Sequence, residues 1–453
     1  MATQFIPLDR DTPYLLPASV QDYLPEDHLA RFVVDIVEQL DLRQLSAVYA
    51  GKGSRPYHPA MMLALLFYGY ASGTFSSRKL EKATYDSIAY RYICANSHPD
   101  HDSINAFRKR FLKELKGLFV AILVIAKEMG TLKLGTVSLD GTKIKANASK
   151  HKALSWGYAN KLEKQLQEEV EELMRLAEQA DNSTLPEELD IPEELARRED
   201  RLAAIGRAKQ EIALRAQQRY EKDQAEYEEK LARRKEQEEK SGKKPRGKAP
   251  QSPQPGPKDK DQVNLTDEES RIMPTSSGGF EQSYNAQASV DIESGLIITG
   301  HMTQHPNDKQ EVDPTLAQLQ AQEDALGKVD KLLADAGYFS EKNVKAIDEQ
   351  AITPYLSTHR ERHNVPIGER FRVPVEAPRS SDDPVEQMQH RLSTTEGKAL
   401  YAKRKSTIEP TFGIIKQVLG FRQFLLRGLE CVEGEWDLVC IGYNLKRMFE
   451  LSV

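Results

Sequence analysis

Three acidic residues stand in settings where they could do chemistry. Asp140 ends the apolar run Val137-Ser138-Leu139, and Asp335 ends a second run, Lys331-Leu332-Leu333-Ala334, before Ala336-Gly337-Tyr338. Glu409 lies in the basic stretch Tyr401-Ala402-Lys403-Arg404-Lys405-Ser406-Thr407-Ile408-Glu409-Pro410, which runs on to Lys416. Two carboxylates at strand ends and a third on a helix could hold a pair of divalent ions. Two such ions about 3.5–4 Å apart clamp the attacking and leaving oxygens of a phosphodiester, which is the chemistry of cutting and joining nucleic acid. Asp and Glu suit Mg2+, a hard cation that keeps several of its waters. Each acid also has a plainer reading by itself. Asp140-Gly141 is a strong hairpin-turn dipeptide, Asp335-Ala336-Gly337 is an ordinary strand exit, and Glu409 could pair with a neighbouring cation on a helix surface. Their conjunction favours the metal site.

At these three acids the chain resembles the DDE transposases of bacterial insertion sequences. Tyr401, Arg404, Glu409 and Lys416 resemble that family's Tyr-Arg-Glu-Lys signature. Four residues separate Arg404 from Glu409, one more than is common in the wider superfamily, and six separate Glu409 from Lys416, as the pattern asks. The segment Val263-Asn264-Leu265-Thr266-Asp267, with Ser270-Arg271-Ile272-Met273 after it, resembles a subgroup with a long insertion between the first two acids. The resemblance runs from near Arg55 to the C-terminus. It implies an α/β ribonuclease-H-like catalytic core with an N-terminal helical domain and an inserted antiparallel coiled-coil hairpin. It implies Asp140, Asp335 and Glu409 as catalytic metal ligands, with two Mg2+ ions as cofactor and Mn2+ able to substitute. The implied substrates are the element's terminal inverted repeats and a target DNA, engaged by a homodimer or larger assembly. Three other readings are a nuclease that cuts without joining, a non-enzymatic DNA-binding derivative, and a coiled-coil scaffold. The intact triad argues against the second, and the third explains only residues 158–240.

The basic stretch around Glu409 invites a second argument. The planar fork of Arg404 can grip a phosphate with two parallel hydrogen bonds. Lys416 follows Glu409 by two helical turns, which places both on one face, while Ile408, Phe412 and Ile415 form a neighbouring apolar stripe that would anchor the helix. Pro410 lacks a backbone donor and disfavours helical geometry at the residue before it, so the expectation is a helix kinked there. Tyr401, Arg404, Lys416, Arg108, Lys109 and Arg110 make up the expected DNA- and phosphate-binding set. Asp308 reads as a cap for the helix after it rather than as a further metal neighbour. Cys94, His98 and His101 lack a fourth ligand at finger spacing, so zinc is not expected. Trp436, Tyr443 and Phe449 read as core.

The elements that must position these residues follow from periodicity. Residues 1–130 read as a helical, DNA-binding domain. Leu29, Phe32, Val33, Ile36 and Leu40 recur at helical spacing, Pro59 opens a second helix, a third spans 76–89, and a fourth starts with Asp102 or Ser103 as cap. Residues 131–157 hold the first part of the core. Residues 158–240 are the helical hairpin, with Leu166, Val170, Leu173 and Ala177 at coiled-coil steps and a second long helix from about residue 193. Residues 241–262 are a disordered linker by composition. Residues 263–453 complete the core: a hairpin turning at Gly295, a helix, the strand before Asp335, a helix capped by Ser340, a further strand, an irregular stretch over 358–394, and the helix of Glu409.

Bulk properties set limits on these readings. A chain of 453 residues is long enough for two or three domains. Only 3 Cys and no CxxC fit a reducing cytoplasm rather than a disulfide scaffold. No signal peptide is evident, and the longest apolar runs are too short to span a bilayer, so the expected location is the bacterial cytoplasm, on the nucleoid when DNA is bound. A net charge of −6 is awkward for a DNA-binding protein. The acids crowd into residues 163–240, however, and phosphate affinity depends on where the cations cluster.

Overall fold

The computed structural model describes residues 19–49, 56–180, 191–242, 247–275, 278–359 and 383–452. The chain divides into two compact units. The first draws on residues 1–142, 285–425 and 430–453, and the second on residues 143–284 and 426–429.

The first unit is built on a mixed sheet. β1 (Thr136–Lys145) lies parallel to β7 (Lys331–Ala334), which lies parallel to β8 (Thr353–Leu356). On the other side of β1 comes β5 (Phe280–Asp291), whose half from Asn285 onward pairs antiparallel with β6 (Ile297–Thr303). Parallel strands need crossover connections, and α10 (Val312–Leu326) and α11 (Glu341–Glu349) flank β7 in sequence to supply them. The helix that follows β8, α12 (Pro384–Ser393), corrects the expectation of an irregular stretch over 358–394; the rest of that stretch, residues 360–382, lies outside the described residues. Pro384 fits the first turn of α12, with Asp383 accepting from Val385 N–H at 2.8 Å as cap.

The strand β5 is buried along nearly all of this half, yet its side chains alternate between apolar Ala286, Ala288 and Val290 and polar Asn285, Gln287, Ser289 and Asp291. One face of the strand therefore carries a buried polar stripe. The two hydroxyls of Ser289 and Thr299 satisfy each other at 2.6 Å, and Asp291 accepts from Ser294.

The helices of residues 20–128 also belong to this unit: α1 (Leu29–Glu38), α2 (Arg43–Ala47), α3 (Pro59–Ala71), α4 (Ser77–Asp86), α5 (Ile88–Ile93), α6 (His101–Arg110) and α7 (Leu115–Glu128). α3 is buried on almost every face and starts, as expected, with Pro59 in its first turn. The expected third helix is broken at Ser87 into α4 and α5. The cap of α6 is Asp100 rather than Asp102 or Ser103: its carboxylate accepts from both the N–H (2.8 Å) and the hydroxyl (2.9 Å) of Ser103.

The last helix, α14 (Leu429–Ser452), is the central support. Trp436 is fully buried and donates from Nε1 to the Gln287 carbonyl (3.1 Å), and the Asn444 amide bonds both the N–H and C=O of Ile297 at 2.8 Å. On its other side Gly442 lets α3 approach so closely that a Cβ would lie 2.8 Å from the Tyr70 carbonyl carbon.

The second unit is dominated by α8 (Trp156–Ala180) and α9 (Ile191–Ser241). Leu166, Ile205, Ala208 and Ile212 pack together with Leu154 and Val263, and ion pairs of Glu163 with Lys209 (2.6 Å) and Glu169 with Arg198 (2.8 Å) give the two helices opposite directions. β2 (Ala153–Ser155) and β3 (Gln262–Asn264) pair antiparallel at the base. Of the expected linker, Ser241 ends α9 and Gln262 opens β3, and residues 247–261 are tied back to α9: Arg234 donates to the Lys248 carbonyl (2.9 Å) and Arg219 grips Asp261 with two bonds of 2.7 and 2.8 Å. A further strand here, β4 (Arg271–Pro274), pairs with the first residues of β5. Asp267 is a structural carboxylate, accepting from the Tyr284 hydroxyl at 2.9 Å. Among the described residues no helix is long and apolar enough to cross a membrane.

Candidate active site

The register of β1 against β7 pairs Leu139 with Ala334, so Asp140 and Asp335 follow at the same level on neighbouring parallel strands. The strand β1 continues straight through Gly141 to Lys145, so Asp140-Gly141 is not the tip of a hairpin. Gly141 has another reason to be glycine. A Cβ there would collide with Gln287 Nε2 and lie 2.7 Å from Asp308 Oδ1.

The third acid comes from α13 (Thr395–Gly413), which passes unbroken through Pro410 and then opens into a π-helical turn, Ile414–Val418. Pro410 therefore lies inside a helix, as the expectation of one helix through Glu409 required, and a widened turn follows it at Ile414. Proline frees the carbonyl four residues earlier, and that residue, Ser406, is exposed, so water can serve it. Ile408, Phe412 and Ile415 are buried beneath the helix.

All three acids converge on one guanidinium. Arg404 Nη2 donates to Asp140 Oδ2 at 2.8 Å and lies 3.8 Å from Asp335 Oδ2, while Nη1 lies 3.6 Å from Glu409 Oε1. The Arg404 side chain is 8% exposed, against 19%, 43% and 54% for Asp140, Asp335 and Glu409, so the cation is the innermost member of the group. The other oxygens of the two aspartates are held by nearby backbone: Gly141 N–H donates to Asp140 Oδ1 and Gly337 N–H to Asp335 Oδ1, each at 2.8 Å. The Asp140 carboxyl is raised to about 6: burial is the main cause, Asp335 and Asp308 add to it, and Arg404 opposes it. Burial also works against the charge on Arg404, but Asp140, Asp335 and Glu409 outweigh it and hold the guanidinium above its ordinary range. Among the described residues no three Asp, Glu, His or Cys side chains already stand where they could share one ion, because Arg404 occupies the space between the acids.

Residues 18–110 match the family of the transposase domain (DUF772), and residues 372–449, which contain Tyr401, Arg404, Glu409 and Lys416, match the transposase DDE domain. Both matches are to transposase domains, the second of the DDE class. The DDE domain implies a ribonuclease-H-like fold and an enzyme that uses divalent metals such as Mg2+. Searches of curated proteins and of solved structures find no match.

The other expected DNA contacts fall into different places. Lys416 Nζ donates to Thr142 Oγ1 at 2.6 Å, one residue past Gly141 on β1, and the Tyr401 hydroxyl reaches the Ala334 carbonyl at 3.4 Å. Both side chains therefore border the acids. Lys109 and Arg110 are exposed on α6, with Arg110 5.3 Å over the Tyr49 ring. Arg108 corrects the expectation of a continuous basic surface. It is buried and donates to the Phe75 carbonyl (3.2 Å) and Asn105 Oδ1 (3.1 Å), because α6 turns that face toward α3 and α4. The zinc candidates are engaged separately, His98 with Thr84 (3.1 Å) and His101 with Glu81 (2.7 Å), while Cys94 is buried and its thiol pushed up to about 12.

Sequence reading gave Asp308 a different role and did not single out Asn285, Gln287 or Tyr338. Asp308 does not cap α10. Its Oδ1 accepts from Asn285 Nδ2 and Gln287 Nε2, both at 2.8 Å, and Gln287 Oε1 accepts from the buried Tyr338 hydroxyl. Asn285, Gln287, Ser289 and Asp291 alternate with apolar residues, which in sequence is the pattern of a strand with one face in water, so only the structure shows that the polar face is buried.

Proposed function

We propose that the transposase cleaves the ends of an insertion sequence and joins them to target DNA by two-metal phosphoryl transfer, with Asp140, Asp335 and Glu409 as ligands of two Mg2+ ions. The observation that carries this reading is the convergence of the three acids, from two parallel strand ends and one helix, on a single cation. The donors are hard carboxylate oxygens, which is the ligand type Mg2+ takes, and three negative charges around one positive charge leave the group short of cations. Bound there, the ions would lower the pKa of the attacking water or 3′ hydroxyl and stabilise the oxyanions of the reaction.

The chain's own side chains have distinct parts in this scheme. Arg404 is the resident counter-charge of the acids before the ions arrive. Released from them, its fork can take a phosphate oxygen pair. Lys416 and Tyr401, which border the acids, would hold the phosphates on either side. Lys109 and Arg110, on the exposed part of α6, would bind DNA at a distance from the chemistry, consistent with a DNA-binding role for residues 1–130. Two ends must be joined in one event, so two copies act together, and the hairpin of residues 158–240 is the proposed contact between them. A nuclease that cuts without joining shares every one of these features up to the second step.

Asp140→Ala, Asp335→Ala or Glu409→Ala should abolish cleavage and leave specific binding of the terminal repeats largely intact. Cleavage by Glu409→Ala in Mg2+ would remove Glu409 from the ligand set.

A further inference from the structure

We propose that Asp308 is a fourth carboxylate of the active site, held by two side-chain amides so that its second oxygen is presented beside Asp335. The proposal rests on the reading of Asp140, Asp335 and Glu409 as divalent-ion ligands. Asp308 adds a negative charge and an uncommitted acceptor oxygen to them, and so positions the ion or its waters.

Four observations lead to this assignment. First, Oδ1 of Asp308 is doubly committed, to Asn285 Nδ2 and Gln287 Nε2 at 2.8 Å each, which fixes the carboxylate plane. Second, Oδ2 carries no such bond among the described residues and points toward Gly337, where a Cβ would lie 3.6 Å from it and 2.9 Å from Asp335 Oδ1. The two acids thus share the space that a glycine leaves open. Third, Asn285 Oδ1 is fully buried, has no hydrogen-bond partner among the described residues, and lies 3.0 Å from the place a Gly141 Cβ would take. The Asn285 amide nitrogen is already used on Asp308 and on the His305 carbonyl (3.1 Å), so its oxygen is left aimed at the residue after Asp140. A buried acceptor without a donor is unfavourable, and a water held by an ion would supply the donor.

Fourth, the loop that carries Asp308 is braced to a degree a surface turn does not need. Glu311, 2% exposed, accepts from His301 Nε2 (3.0 Å), His305 Nδ1 (2.8 Å) and Thr303 Oγ1 (3.0 Å), and Asn343 Nδ2 holds the Lys309 carbonyl at 2.8 Å. Gln287 links this loop to the segment after Asp335 through Tyr338. Groups that orient a metal site are built in this way, and losing one weakens metal affinity roughly 10–100-fold.

The test is Mn2+ uptake by the full-length chain, followed through the paramagnetic resonance signal of the free ion, with melting in EDTA as the check on folding. Asp308→Asn keeps the size and the acceptor oxygen for both amides but loses the charge. It should weaken Mn2+ binding about 10-fold or more, as should Asp308→Ala, while Asp308→Asn melts in EDTA no lower than the wild type. Mn2+ affinity at the wild-type level in Asp308→Asn overturns the proposal, and recovery of affinity by Asn relative to Ala would mark Asp308 as structural only. Asp335→Asn is run beside them. If it too keeps wild-type affinity, or if the wild type takes up no Mn2+, the triad reading itself fails; if it alone loses affinity, only the role of Asp308 is lost.

Discussion

At the scale of single residues, Arg404 decides how the acids coexist before any ion binds. Its guanidinium and the Asp140 carboxylate are both mostly buried, so the pair is neither screened nor easily replaced by water. Breaking such a pair from one side typically costs about 3–5 kcal/mol. Asp140 can escape part of that cost by taking up a proton, since burial already pushes its carboxyl up to about 6. Arg404→Ala should therefore melt clearly lower than the wild type in EDTA, and Mg2+ should raise its melting temperature by more than it raises that of the wild type. Equal shifts with Mg2+ would mean that Arg404 and the ions do not share the acids. The same geometry bears on DNA. A phosphate contact on duplex DNA contributes about 0.9 to the log–log salt slope. For Arg404→Ala that loss should appear when a divalent ion is present and be absent in EDTA, because only the ion frees the fork. Binding isotherms at several salt concentrations, in both conditions, separate this from a solvated helix face, for which neither slope changes. Arg404→Lys should rescue only in part, keeping the charge but losing the planar fork.

At the scale of elements, close approach determines which substitutions are tolerated. Gly442→Ala on α14 should gain helix propensity worth about 1 kcal/mol. The new Cβ would meet the backbone of Tyr70 and Ala71 at 2.8 Å, and backbone cannot step aside as a side chain can. Overpacking of this kind costs about 1–3 kcal/mol, so the net effect should be a lower denaturation midpoint; an unchanged or higher midpoint would show that α3 and α14 can slide apart freely. The elements themselves were largely legible in the sequence. Apolar runs ending at Asp140 and Asp335, Pro59 at a helix start, Ser340 as a cap and the steps of α8 all carry local signals. What was not legible depends on partners distant in sequence. Asp140-Gly141 looks like a turn unless one knows that Gln287 and Asp308 press against it. Arg108 looks like part of a basic surface unless one knows that the Phe75 carbonyl and Asn105 receive it. Asp308 looks like a cap until the amides of Asn285 and Gln287 are placed beside it. Pro410 signals a kink, and how the helix accommodates it depends on Ser406, four residues earlier, being exposed.

At the scale of the whole molecule, the net charge of −6 is less of an obstacle to DNA than it first looks. Much of the acid sits on α9, where it is matched within the helix by pairs such as Glu193 with Arg197, Glu229 with Arg233 and Glu236 with Lys240. Stability should carry its own pH dependence through Asp437 of α14. Burial pushes this carboxyl from 3.8 up to about 7, against the pull of Lys116. Between those two values the unfolded chain has released the proton while the folded chain keeps it, so stability falls as pH rises through the window and levels off above about 7. Asp437→Asn removes this dependence, and its advantage over the wild type should grow from about pH 4 to about pH 8 in denaturant titrations; a constant difference would contradict the assignment. The central claim is that three acids on two strands and one helix support both cutting and joining. Strand transfer tests it most directly: pre-cut terminal-repeat ends with a free 3′ hydroxyl are mixed with target DNA and Mg2+, using the wild type and each of Asp140→Ala, Asp335→Ala and Glu409→Ala. The account predicts joined product from the wild type, none in EDTA and none from any of the three variants. Cleavage of intact ends without joining of pre-cut ones, or joined product from any one variant, would contradict it.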